Sequence, residues 1–492
     1  MAIGFDSLII PGFSNYSIIN SLFMKKFFTV LSLSLAAVTA MQANVFTTSG
    51  DGTTYTLASL AKIENSGVTA EGNVYTLSDS LVIADGDQFQ LDDNAVLKLA
   101  DKATCILFGD ASFEVSAATI TRTDDDAKPN QIELRKADAV YGFQNVTFEY
   151  VGVKSFETNS LYFDNCTFTQ YVYQNRVSGP IAIGMTGSKV VVTNCLFDRN
   201  EYSSVVGAAN IKCSMVRVEN CTFNKSQQVN RNMPMLNLTP GDSIIVRGNV
   251  LHGDSAMDMV GGISVANLMG LEGPMYVLIE DNEIDSCRYG INIQGAISEA
   301  IIRGNRVTNN RFVRNNDANN GGSGIAIYDA SKSMNLKVSN NYFENNLWGV
   351  TVIGGGNINL GKIEVDGVAL AEDDPEYNVG RNTFKDNGHD DILVDLAFAS
   401  GTDYLTVYAQ NNTWNVAEQT EEQIEAVIDH QKDDATLGLA IYMPAYVEQT
   451  TGVSAIESLL PSGAAFDLMG RSVERAQKGR LYIREGRKFI VR

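Results

Sequence analysis

Residues 143–168 read FQNVTFEYVGVKSFETNSLYFDNCTF and contain one hexapeptide twice, as FQNVTF at Phe143–Phe148 and FDNCTF at Phe163–Phe168. Its pattern is apolar, any residue, small polar, asparagine or cysteine, any residue, apolar. Eight further copies follow: Val192–Phe197, Val218–Phe223, Val246–Leu251, Ile279–Ile284, Ile302–Val307, Val338–Phe343, Val379–Phe384 and, more weakly, Ala409–Trp414. The copies start 20 to 41 residues apart. A regular core with irregular spacing is typical of solenoid rungs whose loops vary on one face.

Each rung carries a second short segment that alternates in polarity and is usually introduced by glycine. In one of them Ile291 and Ile293 are expected to point inward and Asn292 and Gln294 outward. The segments are Pro180–Ile183, Gly262–Val265, Gly290–Ile293, Gly324–Ile327, Gly349–Val352 and Asp391–Val394. They are too short and too closely spaced for crossover helices. The sequence therefore predicts an all-β coil of parallel strands, with one turn per repeat.

In such a coil the fourth hexapeptide position stacks on itself about every 4.8 Å. The predicted ladder consists of Val146, Cys166, Cys195, Cys221, Asn249, Asn282, Asn305, Asn341, Asn382 and Asn412. A buried asparagine at a bend can bond its own turn and the next rung, and cysteine fits the same small site. Metal binding by this column is the less favoured alternative, because no pair of Cys or His residues has metal-ligand spacing.

Over residues 70–446 the chain resembles the right-handed parallel β-helix proteins. This superfamily includes pectate lyases and polygalacturonases. The resemblance implies ten or more rungs, with an N-terminal cap and first rungs in residues 44–142 and the coil with its terminal cap in residues 143–446. Glu421–His430, with apolar residues at helical spacing, is predicted to be a helix that closes the coil.

The N-terminal end of the chain carries a secretion signal. Two lysines, the apolar run Phe27–Val38 and small residues up to Ala43 predict a secretory signal peptide within residues 1–43, with the true start at Met24 and cleavage after Ala40 or Ala43. No later segment has 18 consecutive apolar residues, so no membrane span is predicted in the mature chain. The protein is expected to be secreted or attached to the outer surface.

Residues 447–492 form a linker and a basic tail that ends in FDLMGRSVERAQKGRLYIREGRKFIVR. This tail resembles the type A C-terminal sorting domain of Bacteroidota, which implies export by the type IX secretion machinery. Arg480 departs from the family's second strand motif, which puts processing by that machinery in doubt. The alternative is a small β-domain without a sorting role.

Charge excludes some partners. The chain has a net charge of −21, and residues 44–450 hold 27 basic and 53 acidic residues, a net of −26. Nucleic acid is therefore not expected as a partner, since it requires a basic patch. No cofactor is predicted, although acidic loops leave Ca²⁺ binding open.

A candidate glycan groove is predicted where two polar insertions, Asn309–Ser323 and Gly354–Asn378, flank adjacent rungs. The expected groove residues are Arg311, Arg314, Tyr328, Asp329, Trp348 and Thr351. Trp348 is equally compatible with a cap over the core.

Catalytic residues are not identified by the sequence. The polygalacturonase resemblance implies three motifs of acidic residues and histidine, two of which are absent. His389, Asp390 and Asp391 match the third only in part, since glycine does not flank the histidine on both sides, and they are weak acid–base or Ca²⁺ candidates. One adjacent acid pair does not establish the carboxylate separation that glycosidases need. Three interpretations remain: a surface protein that binds glycan without turnover, a lyase or hydrolase acting on a uronate-containing polysaccharide, and a purely structural protein.

Overall fold

The computed structural model describes residues 45–128, 131–156, 160–172, 179–224, 233–254, 256–311 and 321–447, and four short pieces of the tail. The chain divides into two compact units, residues 1–445 and 446–492. The predicted signal peptide and Arg314 lie outside the described residues.

The larger unit is a parallel β-helix, which confirms the predicted fold class. Its first sheet has fourteen parallel strands, one from each successive turn. They are Val45–Thr47, Ser80–Ile83, Cys105–Leu107, Ile132–Leu134, Val153–Ser155, Ile181–Ile183, Val205–Gly207, Leu236–Leu238, Ile263–Ala266, Ile291–Gln294, Ser323–Tyr328, Trp348–Val352, Leu396–Phe398 and Ile428–Asp429.

Two further sheets complete the coil and are joined by long strands that run through both. The second sheet contains Thr54–Thr56, Gln88–Gln90, the first parts of Asp110–Arg122 and Val140–Glu149, Ser160–Asp164, Lys189–Thr193, Met215–Glu219, Ile244–Arg247, Tyr276–Glu280, Glu299–Arg303, Asn335–Ser339, Asn357–Gly361, Thr406–Ala409 and Leu439–Ile441. The third sheet contains Val68–Glu71, Val74–Leu77, Val96–Leu99, the second parts of the two long strands, Thr167–Thr169, Leu196–Asp198, Thr222–Asn224, Val250–His252, Glu283–Asp285, Arg306–Thr308, Tyr342–Glu344 and Thr383–Lys385.

The hexapeptide is the bend between the second and third sheets. Its third residue has φ between 51° and 68° in all ten copies. This left-handed region favours glycine, asparagine and aspartate, which occupy nine of the ten positions, with Arg381 as the exception. The bend therefore recurs because each repeat supplies a residue that tolerates it.

The apolar hexapeptide positions fill the core. The sixth position forms a stack of Phe148, Phe168, Phe197 and Phe223, with ring centroids 4.7 to 5.0 Å apart and nearly parallel planes. All four rings are fully buried. Stacking one rung on the next thus gives the two inner rings, Phe168 and Phe197, an aromatic partner on both sides.

The fourth position forms a continuous hydrogen-bonded ladder. From Asn282 to Asn412, the Oδ1 of each ladder asparagine accepts from the backbone N–H and the side-chain amide of the asparagine on the preceding rung, at 2.8 to 3.1 Å. Asn249 Oδ1 accepts from the Cys221 N–H at 2.9 Å. Cysteines extend it: the Cys166 N–H points at Cys195 Sγ and the Cys195 N–H at Cys221 Sγ, each 3.4 Å away. All six cysteines are free thiols.

A second ladder, which lies beyond the hexapeptide pattern, occupies the bend after the third sheet. Asn310 donates to Asn346 at 2.8 Å, and Asn346 donates to Asn387 at 3.0 Å. Each member stands five residues after a member of the first ladder, as Asn310 follows Asn305. Extending the hexapeptide by three residues would have revealed it.

Asp395 terminates the second ladder. Its carboxylate accepts from Asn387 Nδ2 at 3.2 Å and from the Asn415 N–H at 2.8 Å, and the residue is fully buried. Burial raises the pKa of Asp395 from 3.8 to about 7. Between pH 3.8 and about 7, Asp395 is therefore protonated in the folded protein and ionised in the unfolded chain.

This burial predicts a pH dependence of stability. Because the pKa of Asp395 is raised in the folded state, the protonated side chain contributes to the free energy of unfolding. This contribution is fully present below pH 3.8 and is lost as the pH rises towards about 7. Asp395→Asn is expected to reduce this loss, and urea unfolding between pH 4 and 8 would measure it. An unchanged slope in the variant would show that Asp395 does not carry the proton.

The C-terminal end of the coil corrects one expectation. The helix spans only Glu421–Glu425, with Thr420 as its N-cap, because Ile428–Asp429 forms the last strand of the first sheet. The prediction of a helix through His430 is therefore wrong. Ile424 is fully buried and covers the core, as a cap must. A second short helix, Leu57–Leu60, lies near the other end.

The smaller unit contains a four-stranded antiparallel sheet made of Ala465–Phe466, Ser472–Val473, Leu481–Arg484 and Arg487–Ile490. Within the described part of the chain, no helix has the length and apolarity needed to cross a membrane.

Candidate functional site

The outer face of the first sheet carries one row of side chains in register from rung to rung. The row is Lys154, Ala182, Val206, Asn237, Ser264, Asn292, Ala326, Thr351, Ala397 and Asp429. Its eight central members are uncharged, and six of them are alanine, serine, threonine or valine with less than one tenth of their surface exposed. We call these eight residues the floor.

Aromatic side chains border the floor where the chain enters the strands. Tyr171 packs on Ala182, and Trp348 packs on Ala397. Tyr289 hydrogen-bonds with Ser264, and burial raises its pKa to about 12. Together these rings form one border of a row of small and polar groups.

Glycines of the preceding rung make room for these rings. A β-carbon added to Gly152 would lie 2.9 Å from the Tyr171 ring, and one on Gly261 would lie 2.2 Å from the Tyr289 ring. Glycine is therefore required at these two positions, since the tyrosine ring of the next rung occupies the space that a β-carbon would fill.

The centre of the floor offers two amides, Asn237 and Asn292, on either side of a rung that carries the buried Ser264. Asn237 and Asn292 are partly exposed, and the Asn292 amide donates to Ser264 Oγ at 3.0 Å. Gln294 and Tyr328 lie in the next outward row, also in register and partly exposed. Such groups can hydrogen-bond to hydroxyl-rich ligands.

Asp329 does not present its carboxylate to a groove. It is 1% exposed and accepts from Ser331, Ser333 and the Met334 N–H, which organises the loop after its strand. These hydrogen bonds more than offset the effect of burial and lower the pKa of Asp329. It is therefore a structural carboxylate.

Two other predicted groove residues are also buried. Thr351 contacts the Ser323 hydroxyl and is 1% exposed, and Trp348 packs within a small cluster with Leu347 and Val394. Both lie at the outer face but present almost no surface to a ligand. Tyr328 keeps a partly exposed side chain.

The second insertion, Gly354–Asn378, does not border the first sheet as expected. It contributes Asn357–Gly361 to the second sheet and a hairpin of Glu364–Val365 with Val368–Ala369. Its return segment is fixed to the second sheet by Lys337, whose ammonium donates to the carbonyl oxygens of Pro375 and Tyr377. The expectation that both insertions wall one groove is therefore wrong.

Three predicted residues do come together at the end of the floor. The Arg311 guanidinium donates to the Gly388 carbonyl at 3.0 Å, and the His389 ring lies 5.3 Å from the Trp348 ring. His389 Nδ1 is buried, lies 3.6 Å from Asp390 Oδ2 and has no hydrogen-bond partner among the described groups. Asp390 and Asp391 occupy the left-handed turn of the hairpin Gly388–Leu393, a position that suits aspartate for conformational reasons.

A cluster of Glu425, His430 and Asp433 has side-chain atoms within 4.8 Å of one another. It is better explained by hydrogen bonds than by a metal. His430 Nδ1 accepts from the Ala440 N–H at 3.1 Å, so Nε2 carries the proton that reaches Glu425 at 3.0 Å. Burial raises the pKa of Glu425, but hydrogen bonds from Lys432, Tyr442 and His430 bring it to about 2.

Comparison with known proteins identifies the architecture. The family model described as right handed beta helix region matches residues 130–312 and 269–388, which together exceed half of the chain. No curated protein sequence matches the chain.

Among solved structures, the periplasmic alginate epimerase AlgG is similar at 12% identity with a TM-score of 0.41, over 80% of this chain and 83% of that chain. A double mutant of AlgG matches equally well. A mannuronic acid specific polysaccharide family 6 lyase from human gut microbiota matches at 12% identity and a TM-score of 0.32, over 83% of this chain and 94% of that chain.

Proposed function

Because this chain belongs to the right-handed β-helix family, we propose that it is a secreted or surface-displayed protein that binds a glycan chain along the floor of its first sheet. The observation that carries the proposal is the pair of partly exposed amides Asn237 and Asn292, in one row on either side of the Ser264 rung. Equivalent positions repeat about every 4.8 Å along the coil. A ligand that repeats its own hydroxyl groups can use the same contacts several times.

The floor favours a neutral glycan over a uronate polymer. Its eight residues carry no charge, and residues 44–450 have a net charge of −26. A polyanion would be repelled by this field unless cations bridged the two. Amide and hydroxyl groups, in contrast, satisfy sugar hydroxyls without a charge.

Binding without turnover agrees with the side-chain chemistry of the described residues. Asp329 is occupied by five hydrogen bonds from its own loop, and the adjacent acids Asp390 and Asp391 form a turn. The alternative is a polysaccharide lyase or glycoside hydrolase, and the observation in its favour is His389 Nδ1, which lies beside Trp348 and 3.6 Å from Asp390 Oδ2 and has no hydrogen-bond partner among the described residues. A histidine in that state can act as a general base.

A panel experiment tests the proposal. The mature protein is incubated with neutral and uronate-containing polysaccharides, while binding is followed by affinity electrophoresis and products by ultraviolet absorbance and reducing ends. The proposal expects retardation by at least one neutral polysaccharide and no new products. Unsaturated or reducing products that disappear in His389→Ala or Asp391→Ala would instead establish the enzyme, and no binding to any glycan would refute both.

We also propose that the tail directs export through the type IX system, from its Asp467, Leu468, Gly470 and Arg471 motif and its basic final strand. Expression in a Bacteroidota host with and without residues 452–492 tests this directly. Loss of the protein from the cell surface and medium on truncation is expected, whereas unchanged export would contradict it.

A further inference from the structure

The outer face of the second sheet carries an apolar strip in the middle of the coil. Ile245, Leu278 and Ile301 are register neighbours on three successive strands, and all three are partly exposed. Tyr276 beside them is 49% exposed, and these side chains line a shallow cleft of about 300 Å³. Contiguous apolar side chains on a surface mark interaction sites more often than isolated ones do.

Charged and polar rows flank this strip asymmetrically. On the side nearer the hexapeptide bend, two residues along each strand, lie Arg247, Glu280 and Arg303. Glu280 accepts from the guanidinium groups of both arginines, and this holds its pKa below the usual value despite burial. On the opposite side, at the mirror-image positions of the same three strands, lie Ser243, Tyr276 and Glu299.

These two rows are complementary to each other. We propose that a second copy of this chain docks on this face through a two-fold axis that lies in the interface, parallel to the stacking direction of the rungs. With this axis, a residue of one flanking row faces the residue that lies on the same strand but in the other flanking row of the partner subunit. Arg303 meets Glu299 of the partner subunit, and Glu280 meets the hydroxyl group of Tyr276 of the partner subunit.

The apolar strip then packs on itself, as an isologous interface requires. A two-fold axis along the strands would place Arg247 against Arg303 of the partner subunit, so the charge pattern selects the first arrangement. Arg217 and Lys337 continue the central row beyond the strip and would face their own copies across the axis. Both cations are engaged within their own chain, because Arg217 is paired with Glu219 and the Lys337 ammonium donates to the carbonyl oxygens of Pro375 and Tyr377.

Analytical ultracentrifugation of the mature full chain over a concentration series tests the proposal. A reversible dimer is expected, and Leu278→Glu is expected to weaken it at least tenfold because it buries a charge on the two-fold axis. The matched control is Leu196→Glu, a 39% exposed leucine on the third sheet, which should leave the dimer unchanged. A wild-type chain that stays monomeric throughout overturns the proposal.

A charge exchange tests the geometry of the dimer. Arg303→Glu and Glu299→Arg should each weaken dimerisation about tenfold. The double variant should dimerise more tightly than Arg303→Glu alone, although recovery is partial because Arg303→Glu also places a carboxylate beside Glu280 of its own chain. The two side chains stand four residues apart on one strand, about 13 Å, so they cannot pair within one chain. Equal dimerisation of the double variant and Arg303→Glu, with circular dichroism spectra equal to that of the wild type, would rule out this docking. Neither outcome depends on glycan binding.

Discussion

Replacing Asn305 by leucine is expected to destabilise the coil by about 3 kcal/mol or more, or to prevent folding. The Asn305 side chain donates to the Ile279 carbonyl at 3.0 Å and accepts from the Asn282 N–H at 3.0 Å, and it is 1% exposed. Leucine would leave both backbone groups buried without a partner, and each such group costs about 1–3 kcal/mol. Urea unfolding followed by circular dichroism measures the loss.

Asn305→Cys is the matched comparison for this position. The chain itself uses cysteine at Cys166, Cys195 and Cys221, where a sulfur accepts the backbone N–H at 3.4 Å instead of an amide oxygen at about 3 Å. A smaller loss than in the leucine variant is therefore expected. Equal losses in the two variants would mean that side-chain volume, and not the ladder of hydrogen bonds, determines stability here.

Phe197→Ala is expected to cost about 3–5 kcal/mol, because it leaves a cavity in the aromatic stack. The Phe197 ring lies 5.0 Å from the Phe168 ring and 4.7 Å from the Phe223 ring, and it is completely buried. Leu196→Ala, one residue earlier and 39% exposed on the outer surface, should change stability by less than about 0.5 kcal/mol. Similar effects at the two positions would contradict the assignment of inner and outer faces.

The architecture could be predicted because it is encoded locally. The hexapeptide repeats the same three requirements at each bend: a left-handed residue such as Asn194, a ladder residue such as Cys195, and apolar residues on either side. These preferences act within a few residues, so one sequence reveals them. The second ladder has an equally local signal, since Asn310 and Asn346 follow the first ladder at a fixed distance of five residues.

The candidate site could be predicted only in part, since it depends on how loops fold over rungs. Asp329 resembles a ligand-binding carboxylate in sequence, but its oxygens accept hydrogen bonds from the serines two and four residues later. Trp348 lies at the expected edge of the outer face but is covered, partly by His389. The contact between Arg311 and Gly388 joins segments 77 residues apart, which no local pattern indicates.

The most direct test of the proposed function is the affinity of the Asn237→Ala/Asn292→Ala double variant for the neutral oligosaccharide that the wild-type protein binds, measured by titration calorimetry. Removal of two amides from the floor should weaken binding by about tenfold or more. The control Asn224→Ala removes an exposed amide from the third sheet and should bind like the wild type. An unchanged affinity in the double variant, or an equal loss in the control, would contradict binding along the first sheet.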